Sequence, residues 1–288
     1  MKSLGKHLIS VLIILLFIAG IIIFSFPYMS DYFHTRSQTR VIDDFNSSLN
    51  LINEDHIKEL IQAARDYNEA LRSNPNRFYP TQEESTHYHT MLQIDVPEAG
   101  NNIIGTLEIK ELDMILPIYL GTDEEMLRIG IGHIEGTSLP VGGAGTHAVI
   151  TGHRGLHSSK LMTDVDRMKI GDVFTLNILN LRLNYITDQI EVVLPDDFTK
   201  LTIYPDKDYV TLLTCTPIGV NSHRLLIRGV RIPDYEISEH KINTEEYQIS
   251  IIESIKLYVL FLSLLLLLVL IYILVRKALK REKQNNGK

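Results

Sequence analysis

Two long apolar runs stand near the two ends of the 288-residue chain. The first, HLISVLIILLFIAGIIIFSFPY, occupies residues 7–28, and the second, YVLFLSLLLLLVLIYILV, occupies residues 258–275. Each is close to the roughly 20 residues with which a helix crosses the apolar part of a bilayer, and neither presents a polar face. The pattern predicts two flanking transmembrane helices, an N-terminal anchor within residues 1–28 and a C-terminal span over residues 258–275.

The charges that flank these runs predict their orientation. Lys2 and Lys6 precede the first run, and the tail 276–288 after the second is rich in Lys and Arg. Because positive flanks stay in the cytoplasm, both termini are predicted to be cytoplasmic and the segment between the spans extracellular, in a multi-pass protein of the cell membrane. A secretory signal peptide is the alternative for the first run, but the run exceeds the usual apolar region of about 7–15 residues and no small-x-small cleavage site follows it.

Residues 29–90 have a helical periodicity that a polar stretch interrupts. Apolar residues recur at helical spacing, with charges between them, at Ile57, Leu60, Ile61 and Ala64. Asn53 and Asp55 are candidate N-caps, and the proline-containing residues 74–89 are predicted to form a loop. We interpret this helical extension as a stalk that raises the following domain above the membrane. A segment folded over a functional site is the alternative.

Beyond Met91 the pattern changes to short β-branched and apolar runs separated by Gly, Pro, Asn and Asp. Eight runs predict strands: IIGTLEIK, MILPIYL, HAVIT, VFTLNI, LRLNYIT, IEVVL, VTLLTC and RLLIRGV. The stretch EEMLRIGIGHIEG, residues 124–136, predicts a short helix. Closely spaced strands of this kind are typical of a barrel or a sandwich. Residues 91–235 are therefore predicted to form a mainly β domain, and residues 236–257 a linker to the C-terminal span.

The charge and the cysteine content narrow the class of function. Residues 28–257 carry 20 Lys and Arg against 34 Asp and Glu, a net charge of −14, which argues against nucleic acid as a partner. No cluster of Cys, His and carboxylates has the spacing of a zinc site and no glycine-rich phosphate loop occurs, so neither a metal nor a cofactor is predicted. Cys215 is the single cysteine, and such a residue is either an inert buried side chain or a nucleophile.

The residues around Cys215 favour a nucleophile. A strand that ends at Cys215, a turn, and a return strand that begins at His223 would form a hairpin with Arg224 beside the thiol. A cation at this place stabilises a thiolate or a developing oxyanion. Acyl transfer to a thiol also needs a proton-transfer partner, most often histidine. The stretch 145–159 offers three, and spacing alone does not choose among them: His147, His153 and His157.

Several motifs resemble those of the sortases, the cysteine transpeptidases of Gram-positive bacterial surfaces. TLLTC, residues 211–215, matches their TLxTC signature, and the segments THAVITGHRGL, GTSLPVGG and KDYVTLLTCTPIGVNSHRLLIRG, with the C-terminal span, resemble the class C sortases. The resemblance covers residues 105–232. It implies an eight-stranded sortase-type β-barrel in which Cys215 is the nucleophile, His153 the general acid and base, and Arg224 the residue that positions the substrate and stabilises the oxyanion.

The resemblance also implies a reaction and its partners. Class C sortases cleave an LPxTG-like sorting signal between Thr and Gly, hold the acyl group as a thioester, and transfer it to a pilin lysine. Pilin subunits with such a signal and an acceptor lysine are therefore the predicted partners. A housekeeping-type sortase, which uses a peptidoglycan amine, is the alternative among enzymes, and a non-catalytic pilus-assembly protein with a sortase-like barrel is the alternative of another class.

The sequence departs from the class C pattern before the barrel. Class C sortases usually carry a lid there, with an Asp-Pro-aromatic motif that covers the cysteine, and residues 29–103 contain no such triplet. We therefore predict that Cys215 is accessible in the resting protein and that removal of residues 29–88 changes its alkylation rate by less than about threefold. A lid of different sequence, with Phe78 or Tyr79 as the covering ring, is the alternative.

Overall fold

A computed structural model describes residues 2–94, 102–156 and 159–232, together with five helical residues near the C-terminus: Leu262, Leu265, Leu266, Val269 and Ile273. The chain divides into two compact units, Met1–Ile237 and Ser238–Lys288. All the elements named below belong to the first unit. The predicted linker, the predicted cytoplasmic tail, most of the predicted C-terminal span and the candidate His157 lie outside the described residues.

The described residues of the first unit form four α-helices: α1 (Lys2–Leu49), α2 (Glu54–Arg72), α3 (Gln82–Tyr88) and the short α4 (Glu124–Leu127). Asn53, one of the two predicted caps, caps α2, since its side chain accepts a hydrogen bond of 2.9 Å from the backbone N–H of Asp55. The loop prediction is wrong for residues 82–88, which form α3. A capping box begins this helix, because Thr81 and Glu84 each accept a hydrogen bond from the other's backbone N–H.

Eight strands close into one barrel, which confirms the mainly β fold. They are β1 (Ile103–Ile109), β2 (Met114–Leu120), β3 (Ile131–His133), β4 (Thr146–Thr151), β5 (Val173–Ile178), β6 (Leu181–Val193), β7 (Asp208–Thr216) and β8 (His223–Ile232). Around the barrel they follow the order β1-β2-β3-β4-β7-β8-β6-β5. Two neighbouring pairs are parallel, β2 with β3 and β4 with β7, and the others are antiparallel.

The number of strands agrees with the prediction, but their membership differs. The runs LRLNYIT and IEVVL form one strand, β6, whose register with β8 shifts between Thr187 and Gln189. The polar residues at which the sequence pattern predicted a break between two strands form a bulge within the continuous β6. The predicted helix over residues 124–136 contains only the short α4, followed by β3. In β3 a side chain at Gly132 would put its Cβ 2.2 Å from the carbonyl oxygen of Gly121, so this close approach requires glycine.

Alternate residues of β4, β7 and β8 point to opposite faces of the barrel wall. Those that face inward belong to the main core: Ala148, Ile150, Val210, Leu212, Leu225 and Ile227. Those that face outward join Val193 and Leu201 in a smaller apolar cluster: Val149, Leu213 and Leu226. We call this outer cluster of five residues the apolar floor. It lies beside the end of β7 that carries Cys215.

The helices before the barrel pack against it. Five of their residues are buried in the main core: Phe45, Ile57, Ile61, Ala64 and Tyr88. Asn68 of α2 donates a hydrogen bond of 2.9 Å to the carbonyl of Leu139 and accepts one of 2.7 Å from its N–H. The buried hydroxyl of Tyr88, at the end of α3, lies 2.8 Å from Nδ1 of His133 and accepts the N–H of Gly121. The stalk interpretation is therefore wrong for α2 and α3.

α1 joins the predicted anchor to the predicted extension without a break. Among the described residues, its segment Leu15–Leu49 is the one helix long and apolar enough to cross a membrane, judged by length and composition. Its C-terminal half reaches the barrel, where the side chain of Gln38 donates a hydrogen bond of 2.9 Å to the carbonyl of Ile129. The predicted boundary at residue 28 thus falls inside a continuous helix.

Candidate active site

Cys215 and Arg224 lie opposite each other on adjacent antiparallel strands. The ladder between β7 and β8 pairs the two residues directly, as the predicted hairpin requires, and directly opposed residues have Cβ atoms about 4.5–5.5 Å apart. Cys215 is a free, half-buried thiol. Nη1 of Arg224 donates to the backbone carbonyls of Asn221 at 3.2 Å and His223 at 3.1 Å. These two hydrogen bonds hold the guanidinium at the turn between the strands.

His153 follows the end of β4, the strand that runs parallel to β7. In the last ladder pair Thr151 lies beside Leu213, so two further residues bring His153 to the level of Cys215. Gly152 keeps the chain on β7, because its N–H donates to the carbonyl of Leu213 at 3.4 Å. The three residues predicted to be catalytic therefore meet at one edge of the barrel.

Arg154 links the loop that carries His153 to the end of β7. Its side chain is 6% exposed and pairs with Asp166. Nη1 also donates to the hydroxyl of Thr216 at 3.3 Å, directly after the predicted nucleophile. The sequence pattern did not single out Arg154, because a buried arginine between two loops leaves no local signature other than the basic residue itself.

Phe78 covers the apolar floor. Its ring packs against the floor and stacks on the ring of Phe198, with centroids 5.0 Å apart and planes inclined by 27°. The floor residue Leu213 lies two positions before Cys215, and alternate residues of a strand share a face. Phe78 therefore occupies the surface that adjoins the thiol.

Arg77 and Gly136 fix this cover in place. Nη2 of Arg77 donates a hydrogen bond of 2.7 Å to the carbonyl of Leu201, and its guanidinium lies 4.6 Å from the ring centroid of Phe78. A Cβ at Gly136 would stand 2.2 Å from the carbonyl oxygen of Arg77, so the covering segment sits directly on this glycine. Tyr79 is 80% exposed, so its ring points mainly into solvent. Of the two rings considered, Phe78 is therefore the one that packs beside the site. The accessibility of the Cys215 thiol and its alkylation rate without residues 29–88 stay predictions.

His147 lies apart from this edge and serves the fold. It is 1% exposed, its Nδ1 lies 2.9 Å from the carbonyl oxygen of Thr202, and its Nε2 lies 2.7 Å from the hydroxyl of Thr211. Both ring nitrogens are thus engaged between β7 and the connection from β6 to β7. The ring holds that connection against the barrel.

Acidification is expected to destabilise the barrel through two buried histidines. Burial lowers the pKa of His133 and the pKa of His147 from 6.5 to about 4. The unfolded chain therefore binds more protons than the folded chain between about pH 6.5 and pH 4. The contribution of the two neutral histidines to the free energy of unfolding is fully present above this window and is lost as the pH falls through it. Each histidine is expected to remove on the order of 2 kcal/mol from the free energy of unfolding between pH 7 and pH 5.

Urea unfolding at the two pH values measures this loss. His133→Gln is expected to remove about half of the pH dependence, whatever it does to the absolute stability. The control is His56→Gln, since the side chain of His56 is 56% exposed, and this variant should keep the full dependence. Equal pH dependence in the two variants would contradict the prediction.

The groups at this edge are those of an acyl-transfer site. A thiol beside a cation is favoured as the nucleophilic thiolate, an imidazole moves protons, and guanidinium N–H groups stabilise an oxyanion. Across the described residues, no group of three or more His, Cys, Asp or Glu side chains is placed to hold a metal ion.

Known proteins are similar to this domain in both sequence and fold. A family model of the sortase domain matches residues 107–232. The structure of sortase C1 from Streptococcus agalactiae is similar at a TM-score of 0.64 and 42% identity, over 68% of this chain and 99% of that chain. Sortase C from Streptococcus pneumoniae is similar at a TM-score of 0.59 and 41% identity, over 67% of this chain and 97% of that chain. Sortase C from Clostridium perfringens was solved with the C-terminal cell wall sorting motif. It is similar at a TM-score of 0.57 and 40% identity, over 68% of this chain and 99% of that chain.

The three solved proteins share the fold of this chain and are also substantially identical to it in sequence. The present chain covers 97–99% of each of the three solved sortases. The single cysteine at the end of β7 supplies the thiol that the family's chemistry needs. The chain therefore belongs to the sortase family of cysteine transpeptidases, and these solved relatives are class C sortases.

Proposed function

We propose that this sortase polymerises pilin subunits by acyl transfer through Cys215. The observation that carries the proposal is the meeting of Cys215, His153 and Arg224 at one edge of the barrel, beside an apolar floor. Two relatives support the substrate class. The Streptococcus pneumoniae enzyme is described in terms of pilin substrate specificity, and the Clostridium perfringens enzyme is described with a cell wall sorting motif.

The first half of the reaction forms a thioester. The thiolate of Cys215 attacks the carbonyl carbon of the Thr–Gly bond in an LPxTG-like signal, and the donors of Arg224 stabilise the oxyanion that develops. The tetrahedral intermediate then expels the glycine nitrogen, to which His153 donates a proton. The pilin remains bound to Cys215 through its threonine carbonyl, and the glycine-containing peptide leaves with a free amine.

The second half transfers the acyl group to a lysine. The ε-amine of a second pilin attacks the thioester carbonyl, and the imidazole of His153 accepts the proton that this nitrogen loses. The carbon–sulfur bond breaks and Cys215 leaves as a thiolate. The product is an isopeptide bond between two pilins, and the enzyme returns with its thiolate and imidazolium restored.

The apolar floor suits the leucine and proline of the sorting signal. Its side chains lie on the same outer face as Cys215, so a peptide along β7 would place two apolar residues on the floor while its threonine carbonyl reaches the thiol. Phe78 occupies this place in the resting protein. Binding of a signal would therefore require Phe78 to leave.

The proposed location is the outer side of the cell membrane. The apolar segment of α1 supports an N-terminal anchor, and basic residues flank both apolar runs of the sequence. We propose two spans, cytoplasmic termini and an extracellular catalytic domain. This arrangement would present Cys215 to pilin subunits emerging from the same membrane.

The acceptor amine decides between the candidate functions. The full-length protein in detergent micelles would receive an LPxTG-like peptide together with either a lysine-containing peptide or a peptidoglycan stem peptide with a free amine. Mass spectrometry would follow the acyl adduct on Cys215 and each amide product. We expect the lysine product to form at least about tenfold faster than the stem-peptide product, a difference of about 1.4 kcal/mol in barrier. A preference for the stem peptide would indicate a housekeeping sortase, and the absence of any adduct would indicate a non-catalytic barrel.

Phe78→Ala is expected to lower the KM for the signal peptide by about tenfold at unchanged kcat. A cover that occupies the floor reduces the apparent affinity by the fraction of enzyme that is open. Loss of the ring removes its packing on the floor and on Phe198, so the open fraction should rise. Steady-state kinetics with an LPxTG-like peptide measure the change.

The control is Tyr79→Ala, which removes the neighbouring aromatic ring from an 80% exposed position. This variant is expected to keep its KM within about twofold, the usual range for surface substitutions. A KM for Phe78→Ala within about threefold of that of Tyr79→Ala would show that Phe78 does not compete with the peptide.

A further inference from the structure

A carboxylate from α4 lies against the ring of His153. Oε2 of Glu124 is 3.4 Å from Nε2 of His153, and Oε1 of Glu124 is 3.3 Å from Nε of Arg128. Nε2 of His153 is itself buried and has no hydrogen-bond partner among the described residues. The contact with Glu124 is therefore an ion-pair approach without hydrogen-bond geometry, and Glu124 is the anion that faces this nitrogen.

The topology of the barrel brings these two residues together. α4 directly precedes β3, and Gly132 of β3 pairs with Thr151 at the end of β4. The short connection between α4 and β3 thus places Glu124 at the edge of the barrel where β4 ends and the loop with His153 begins. The pairing of β3 with β4 thus brings the two segments that carry these residues to the same edge of the barrel.

Arg128 further favours the charged form of the Glu124 carboxylate. The hydrogen bond from Arg128, and after it the charge of His153, hold the pKa of Glu124 below its usual range. The side chains of Glu124 and Arg128 are 62% and 69% exposed, so solvent screens the pair. Glu124 is negative throughout the neutral range and presents that charge to one side of the imidazole.

Other charged groups around His153 are engaged elsewhere or carry a different charge. Arg224 on β8 is a cation, and Cys215 on β7 is the proposed nucleophile. On the loop of His153 itself, Asp166 is paired with Arg154. Among the described residues, Glu124 is therefore the carboxylate that lies against the imidazole of His153.

We propose that Glu124 is a positioning residue, which fixes the ring of His153 and stabilises its imidazolium form. This inference rests on the proposed role of His153 in acyl transfer. A carboxylate at Nε2 leaves Nδ1 as the nitrogen that exchanges protons with the thiol and the leaving amine. An imidazolium held by an anion also favours the thiolate–imidazolium pair, because the proton resides on the histidine and not on the sulfur.

The test compares Glu124→Gln with Glu125→Gln in the full-length protein. Both residues are exposed and adjacent in α4, and the structure describes an ion pair only for Glu124. For Glu124→Gln we expect kcat/KM with the signal peptide to fall about three- to tenfold near pH 7.5, with KM within about twofold. The alkaline limb of the rate profile, where the imidazolium loses its proton, should move about half a pH unit lower. Glu125→Gln should match the unsubstituted enzyme in each respect.

A second measurement is independent of turnover. The His153 ring can be titrated by NMR in the Cys215→Ala background, and its midpoint should move to lower pH by about half a unit in Glu124→Gln and stay in place in Glu125→Gln. Equal midpoints in the two variants, or a moved midpoint with an unchanged rate profile, would overturn the proposal. A complete lack of transpeptidation by the unsubstituted enzyme would instead refute the proposed function, and the ring titration would still decide whether Glu124 acts on His153.

Discussion

Cys215→Ala is expected to abolish thioester formation and amine transfer together. Cys215 is the single thiol of the chain, so no second thiol can accept the acyl group. His153→Ala is expected to lose about 10²–10⁴-fold in turnover, because the leaving amine must be protonated. Single-turnover mass spectrometry separates the two half-reactions, with the acyl-enzyme adduct as the readout of the first and the isopeptide product as the readout of the second.

His147→Ala is the matched control, since it removes a second imidazole from the same strand region. Its turnover is expected to stay within about tenfold, which corresponds to a barrier change of no more than about 1.4 kcal/mol. Its stability should fall, because Thr202 and Thr211 lose their partner. Circular dichroism would establish that each variant is folded. An essential His147 together with a dispensable His153 in folded protein would contradict the assignment.

Local patterns were sufficient for the elements whose interactions are local. The hairpin of β7 and β8 joins strands that are adjacent in sequence, and turn residues separate them, so the pairing of Cys215 with Arg224 followed from the sequence. The start of α2 also depends on neighbouring residues, because Asn53 caps a helix that begins at the next position. In both cases the groups that decide the structure lie within a few residues of each other.

The predictions that failed concern contacts between residues distant in sequence. The polar break in β6 did not end the strand, because β8 pairs with it on both sides of the bulge at Thr187 and Gln189. The helical extension did not form a stalk, because Asn68 bonds to Leu139 and the apolar face of α2 joins the barrel core. Periodicity predicts that a face is apolar, but it does not say which surface the face meets.

The choice of His153 over His147 shows the same limit at the site. Both residues lie in one short stretch, and only the resemblance to class C sortases favoured His153. The structure adds a physical reason, because His147 is buried between Thr202 and Thr211 whereas His153 stands level with Cys215. That proximity depends on the parallel ladder between β4 and β7, which hydrophobic patterning cannot predict.

Arg224→Lys is expected to lower kcat/KM by about 10²–10³-fold while the fold is retained. In the described part of the chain, Nη1 of Arg224 bonds to the carbonyls of Asn221 and His223. The planar guanidinium can keep these bonds and still offer further N–H donors to the substrate carbonyl, whereas a lysine ammonium is a single point of charge on a flexible stem. The loss expected on removal of an oxyanion donor is about 2.7–4 kcal/mol of transition-state stabilisation.

Arg182→Lys is the control for the exchange of arginine by lysine, since Arg182 lies at the start of β6 with a side chain 41% exposed. It should leave kcat/KM within about twofold, and both variants should unfold within about 0.5 kcal/mol of the unsubstituted enzyme. The measurement is the rate of acyl-adduct formation on Cys215, because the oxyanion first develops in that step. Near-native formation of the adduct in Arg224→Lys would mean that positive charge alone suffices at this position. The two hydrogen bonds that aim the guanidinium would then serve the turn between β7 and β8, and not the oxyanion.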